Sequence, residues 1–129
     1  MRSVKPKKSL GQHFLKDKNI AVKIVDSLTY NGYRNLLEIG PGMGILTKEL
    51  VKKDINIKVV EIDKESVNFL NKNIASLRGN ILNKDFLRIN LSDLFSSEPY
   101  AIIGNFPYNI SSQIVFRILE NRDLIPEFC

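Results

Sequence analysis

The amino-acid sequence predicts an α/β domain built on a mostly parallel sheet with helices on both faces. Short apolar runs alternate with segments of helical periodicity, which calls for crossover connections between parallel strands. The chemically suggestive motifs all fall at, or just beyond, the carboxyl ends of the runs, where such sheets collect ligands. The length of 129 residues suits one domain.

Taken in order, Asp17 is a plausible cap for a helix over Asn19 to Leu28, whose Ile20, Ile24, Val25 and Leu28 share one face. A turn at Asn31-Gly32 leads to a first strand, Asn35 to Gly40. Ile45 to Lys53 reads as a helix and Ile57 to Asp63 as a second strand. Asp63 then caps a helix over Lys64 to Leu77, with Val67, Leu70, Ile74 and Leu77 on one face. Asn80 to Asp85 reads as a third strand, Leu91 to Phe95 as a short helix, and Tyr100 to Asn105 as a fourth strand. Ser111 or Ser112 caps a last helix running to about Asn121, and residues 124–129 read as the approach to another strand. The whole is a Rossmann-like α/β arrangement.

Composition narrows the setting. With 43% hydrophobic and 26% charged residues the chain is not disordered, and it has no apolar run long enough to cross a bilayer. Met1 to Lys8 has no apolar core of a secretory signal, and the single Cys129 cannot form an internal disulfide, so a cytoplasmic location is expected. One His and one Cys give no basis for a metal site. The net charge is +5, and Arg2, Lys5, Lys7 and Lys8 supply four of those charges within the first eight residues. Such an arm contacts phosphates in a salt-sensitive way, or is simply a solvated terminus.

Four corners carry the chemistry. Glu38-Ile39-Gly40-Pro41-Gly42-Met43-Gly44 joins the first strand to a helix, either as a ligand loop of close-approaching amides or as a tight turn. Glu61, at the end of the second strand, suits the two hydroxyls of a ribose held over that loop; the alternative is a solvated strand-end carboxylate. Asp85 ends the third strand, where its carboxylate suits the amine of an adenine flanked by Ile62 and Phe86; the alternative is a cap on the next turn.

Asn105-Phe106-Pro107-Tyr108 closes the fourth strand. An adenine amine is a poor nucleophile because its lone pair is delocalised into the ring. The Asn105 side-chain oxygen and the Phe106 carbonyl can each accept one of its N–H groups and aim the lone pair at an electrophilic methyl. Pro107 fixes the loop, and the Tyr108 ring suits stacking on a base turned out of its helix. A structural Asn-Pro turn is the other reading of the same residues.

These segments, with Ser9 to Leu15, Val60 to Asp63, Asp85 to Leu87 and Gly104 to Ser111, resemble the ribosomal RNA small-subunit adenine N6-dimethyltransferases of the KsgA type, relatives of the Erm methyltransferases. The match covers nearly the whole chain in the family's order. It implies a class I methyltransferase fold, with a strand order of 3-2-1-4 for the part present, and S-adenosylmethionine as donor, leaving S-adenosylhomocysteine. It also implies dimethylation of two adjacent adenosines near the 3′ end of small-subunit rRNA, within a pre-30S particle, by a monomer.

By the same resemblance, His13, Leu15, Gly40, Gly42, Glu61, Ile62, Asp85, Phe86 and Asn105 contact the cofactor, and Asn105, Phe106, Pro107 and Tyr108 form the target-base site. His13 stands where many relatives have Asn, which a backbone contact tolerates. Residues 1–18 become a basic arm and cofactor-covering segment, and 19–129 the methyltransferase domain. Complete members continue with further strands, a loop bearing another aromatic and a helical RNA-gripping domain. Their absence after Cys129 marks the chain as an expected fragment with weak or no activity and an uncovered fourth strand. Three other readings remain: an Erm-like large-subunit enzyme, a non-catalytic RNA-binding or assembly module, and a nicotinamide-dependent oxidoreductase.

Overall fold

The structure, a computed structural model, describes residues 16–106 and 109–129. Four parallel strands, β1 (Asn35–Ile39), β2 (Asn56–Val60), β3 (Ile81–Leu82) and β4 (Tyr100–Gly104), form one sheet in the order β3-β2-β1-β4. This is the predicted order. β1 is the central strand, and all five of its residues, Asn35 and Glu38 included, are buried, as suits a parallel strand covered on both faces.

Side-chain alternation splits the core in two. Leu36, Ile57, Val59, Ala101 and Ile103 face a layer made by α1 (Lys18–Asp26), α2 (Ile45–Leu50) and α3 (Lys64–Asn73). Leu37, Ile39, Val60, Tyr100 and Ile102 face the segment after β3 and α4 (Ser111–Glu120). Each fully buried Leu or Ile contributes about 1.5–3 kcal/mol.

The predicted caps are present: the Asp17 carboxylate accepts from the amides of Asn19 and Ile20, and Asp63 caps α3 by accepting from Ser66. Several elements depart from expectation. The buried stripe of α1 is Ala21 and Val25, continued by Leu28, and Ile20 lies about 100° around the helix from it and is 45% exposed. α3 ends four residues early; a 3-10 turn over Ala75–Leu77 tightens the chain, yet Val67, Leu70, Ile74 and Leu77 are all buried as predicted.

β3 is only two residues long, because the Asn83 side chain takes over from the backbone and donates to the carbonyls of Glu61 (2.8 Å) and Ile62 (3.2 Å). Residues 91–95 form turns rather than a helix: the Asn90 carboxamide oxygen accepts from the amide and hydroxyl of Ser92, a local arrangement that competes with helix. Ser111 opens α4 and the cap position is Ile110. The outer edge of β4 is not bare: Phe128 bridges Ile102 in parallel, Gly104 donates to Cys129 (3.1 Å), and Cys129 donates to Ile102 (2.9 Å).

Candidate functional site

Register builds the site. Ile39 is paired with Val60 on one side and Gly104 on the other, so β1, β2 and β4 end level and their following residues leave the sheet together. The Gly40 amide donates to Val60 O (2.9 Å), which brings the glycine loop across the end of β2. Gly40, Gly42 and Gly44 have φ of 65°, 56° and 84°, the left-handed region that other residues adopt only at a cost.

Glu61 is 4% exposed and turned beneath this loop. One carboxylate oxygen accepts from the Gly42 amide (3.1 Å) and the other from the Asp63 amide (3.0 Å). It is therefore no solvated strand-end carboxylate. Burial raises its pKa, against the lowering effect of these amides. One amide on each oxygen leaves acceptor capacity on both, so the residues fit a nucleoside whose ribose hydroxyls donate here.

Sequence reasoning passed over Glu38. Its carboxyl points to the helical layer of α2, is 1% exposed, and accepts from the Thr47 hydroxyl. Burial pushes it up to about 8; the Thr47 hydrogen bond opposes this and the charge of Glu61 adds to it. The available signal was a carboxylate inside an apolar strand facing a threonine between Leu46 and Leu50 of the next helix.

Further out, Ile62 is 51% exposed at the end of β2, an open apolar side chain beside the loop. Asp85 does cap its turn, accepting from the Leu87 amide (3.0 Å), with Arg88 Nε 3.8 Å from its other oxygen. It also lines a cavity of about 670 Å³ with Lys58, Leu82, Lys84 and Arg88. Phe86 is buried in the second core, and the Arg117 guanidinium lies 5.4 Å from its ring centroid.

At the end of β4, a Cβ on Gly104 would sit 2.4 Å from Ile39 O and 3.0 Å from the Phe106 ring. Only glycine lets the two strand ends close up here. Asn105 is exposed, and Phe106 packs its ring against the second core. The structure thus brings Gly40, Gly42, Glu61, Ile62, Asn105 and Phe106 to one edge, with Asp85 and Phe86 beyond β3 on the same side of the sheet order. His13, Leu15, Pro107 and Tyr108 lie outside the described residues. Among the described residues no group of three or more His, Cys, Asp or Glu could hold a metal ion, and no helix is long and apolar enough to cross a membrane.

Known proteins share this architecture. In solved structures, the 23S rRNA methyltransferase ErmE superposes with a TM-score of 0.70 at 33% identity, covering 84% of this chain and 43% of that one. A dimethyladenosine transferase from Plasmodium falciparum gives a TM-score of 0.67 at 25% identity, covering 88% of this chain and 40% of that one. The fold is that of the class I methyltransferases. The ribosomal RNA small subunit methyltransferase A of Flavobacterium johnsoniae is 58% identical over 128 residues, 99% of this chain and 49% of the relative. Its counterpart in Bacteroides thetaiotaomicron is 54% identical over 98% of this chain and 47% of the relative. The chain thus spans about half the length of the curated relatives it matches. The family model for ribosomal RNA adenine dimethylase matches residues 3–127, which takes in the basic arm, the glycine loop and the Asn105 corner alike. The chain belongs to the ribosomal RNA adenine dimethylase family.

Proposed function

We propose that this chain forms the cofactor-binding and target-base part of an S-adenosylmethionine-dependent enzyme that dimethylates N6 of two adjacent adenosines near the 3′ end of small-subunit rRNA. The observation that carries the reading is the register of β1, which sets the glycine loop, Glu61 and Asn105 side by side. Family membership and the small-subunit names of the most similar relatives support it further.

In this reading Glu61 accepts the ribose hydroxyls beneath the glycine loop, the exposed Ile62 side chain covers one face of the cofactor's adenine, and Asp85 accepts from its amine. Phe86, buried in the second core, supports the Asp85 turn from beneath. His13 and Leu15 cover the cofactor from the arm, which runs to residue 18 and also meets rRNA phosphates; 19–129 form the catalytic domain. S-adenosylmethionine, when bound, supplies an electrophilic methyl on a sulfonium. The Asn105 oxygen and the Phe106 carbonyl accept the two N–H groups of the target amine and direct its lone pair, Pro107 holds the loop, and Tyr108 stacks on the extruded base. No general base is required, because the work is orientation. The partner is the pre-30S particle, and the enzyme acts as a cytoplasmic monomer.

The likeness to ErmE favours one second reading, methylation of large-subunit rRNA. Tritiated-methyl transfer to unmethylated small and large subunit particles, by this chain joined to the further domains of a complete family member, tests both. Label is expected in the small-subunit RNA and is expected to fall by at least about a hundredfold in Asn105→Ala. Label in the large-subunit RNA alone favours the Erm-like reading. Equal transfer by Asn105→Ala removes the assignment of the site, and no transfer by the wild type leaves a binding module.

A further inference from the structure

The turn carrying Asp85 and Phe86 is poorly tied to the sheet. β3 before it has two residues, and the backbone bonds within it, Arg88 N to Asp85 O (3.0 Å) and Ile89 N to Asp85 O (3.2 Å), shape the turn without locating it. Asn83 ties its start to the end of β2 and Phe86 is buried in the second core, while its backbone carbonyls are held from α4. The half-buried Arg117 donates one guanidinium nitrogen to Phe86 O and another to Ile89 O, 31 and 28 residues away in sequence, while its plane covers the Phe86 ring. Arg117 itself is well anchored, because Ile114 and Ile118, three residues before it and one after, are fully buried against the sheet.

A planar fork suits this task. Two carbonyls three residues apart are held at once by one rigid group, whereas an ammonium is a point donor. α4 is also the helix that follows the Asn105 corner, so one side chain connects the helix after the target-base loop to the turn on the adenine side.

We propose that Arg117 is a positioning residue for the adenine end of the cofactor, fixing the Asp85–Ile89 turn against α4 so that affinity for adenosine-bearing ligands depends on it. This rests on the cofactor reading given above. The alternative is a purely structural clamp whose loss lowers stability and leaves ligand affinity unchanged.

Calorimetry on the full chain with S-adenosylhomocysteine and with 5′-methylthioadenosine, which keeps the adenosine and lacks the amino-acid end, separates the two. Arg117→Met keeps most of the apolar stem and removes every donor; Arg117→Lys keeps the charge but loses the fork. Kd for both ligands is expected to rise by the same factor, about tenfold in Arg117→Met, equivalent to about 1.4 kcal/mol, and about threefold in Arg117→Lys. In turnover by the chain joined to the further domains of a complete family member, the same variants raise KM for the donor and leave kcat within about twofold, whereas a misfolded fraction lowers kcat instead. Unchanged Kd for both ligands alongside a lowered Tm overturns the proposal, as does a loss confined to S-adenosylhomocysteine, which would place the effect at the amino-acid end. Arg117→Lys carries the test if Arg117→Met does not fold. Wild-type chain that binds neither ligand refutes the cofactor reading and this proposal with it; wild-type binding with unaltered variants refutes this proposal alone.

Discussion

Replacing Glu38 by Gln is expected to flatten the pH dependence of folding stability between about pH 5 and 8. Glu38 is buried inside the sheet with its carboxyl pushed up to about 8 from an ordinary 4.5, by burial first and by the charge of Glu61 in addition, with the Thr47 hydroxyl opposing. The folded chain therefore holds this proton more tightly than the unfolded chain does. Its contribution to stability is complete below the unfolded pKa and is lost as pH rises towards the folded value. Each pH unit in that window costs at most about 1.4 kcal/mol, so the three units from pH 5 to 8 cost up to roughly 4 kcal/mol. Glu61 is also raised and slopes the wild-type curve in the same sense, so the informative quantity is the difference between wild type and Glu38→Gln at each pH. Urea unfolding of both proteins at four pH values, followed by far-ultraviolet circular dichroism because the chain has no Trp, gives that difference. It is expected to shift in favour of Gln by roughly 1 kcal/mol per pH unit. A difference that does not change with pH refutes the claim that Glu38 is a neutral acid in the fold. Thr47→Val, which removes the opposing hydrogen bond, is expected to extend the slope to higher pH.

Two further perturbations probe the edges of the site. Gly104→Ala places a Cβ 2.4 Å from Ile39 O, a backbone atom that moves only with β1, and is expected to cost about 1–3 kcal/mol in chemical denaturation; a neutral result means the strand ends are looser than described. At the other edge, burial pushes the Glu127 carboxyl up, but hydrogen bonds from Tyr33 (2.7 Å) and Thr29 (2.9 and 3.0 Å) outweigh it and leave it lowered. Its contribution is present above the ordinary carboxylate pKa and fades as pH falls through the lowered one, opposite in sign to Glu38. The protection factors against amide exchange at Gly104 and Cys129, which are corrected for the intrinsic pH dependence, are expected to fall at acid pH, and at neutral pH in Glu127→Gln; protection that is independent of both separates Glu127 from the pairing of residues 127–129.

The central part of the fold was readable because its physics is local. Apolar runs marked β1, β2 and β4, and Asp17 and Asp63 announced the helices they cap. The glycine loop, Glu61 and Asn105 were readable because they sit at strand ends, where sequence position determines spatial position. What escaped was decided by contacts distant in sequence. Nothing near Asn83 says that its carboxamide will bond across to β2, and Arg117 looks like a solvent-facing helix cation until its two carbonyl partners are known. Glu38 was passed over for a similar reason: an acid in a strand reads as an edge or a ligand, and only the packing of Thr47 over it makes it a buried acid.

The two halves of the site are held by different forces, and this follows from strand length. β1 pairs with β2 and with β4 over five residues each, and a slip of one residue would send every core side chain to the wrong face. At the end of this pairing Gly104 leaves no room for a Cβ beside Ile39 O. The glycine loop, Glu61 and Asn105 therefore inherit the rigidity of the sheet. The Asp85 turn does not, because β3 meets β2 through two residues. In its place stand two side-chain clamps, Asn83 onto the end of β2 and Arg117 from α4. A ribose and a reacting methyl group demand fixed geometry, and the proposed function puts them on the sheet-held side. An adenine ring tolerates adjustment in its plane, and the same proposal puts it where the backbone is held by side chains, so substitutions at the clamps are expected to alter donor affinity before they alter the chemistry proposed at Asn105.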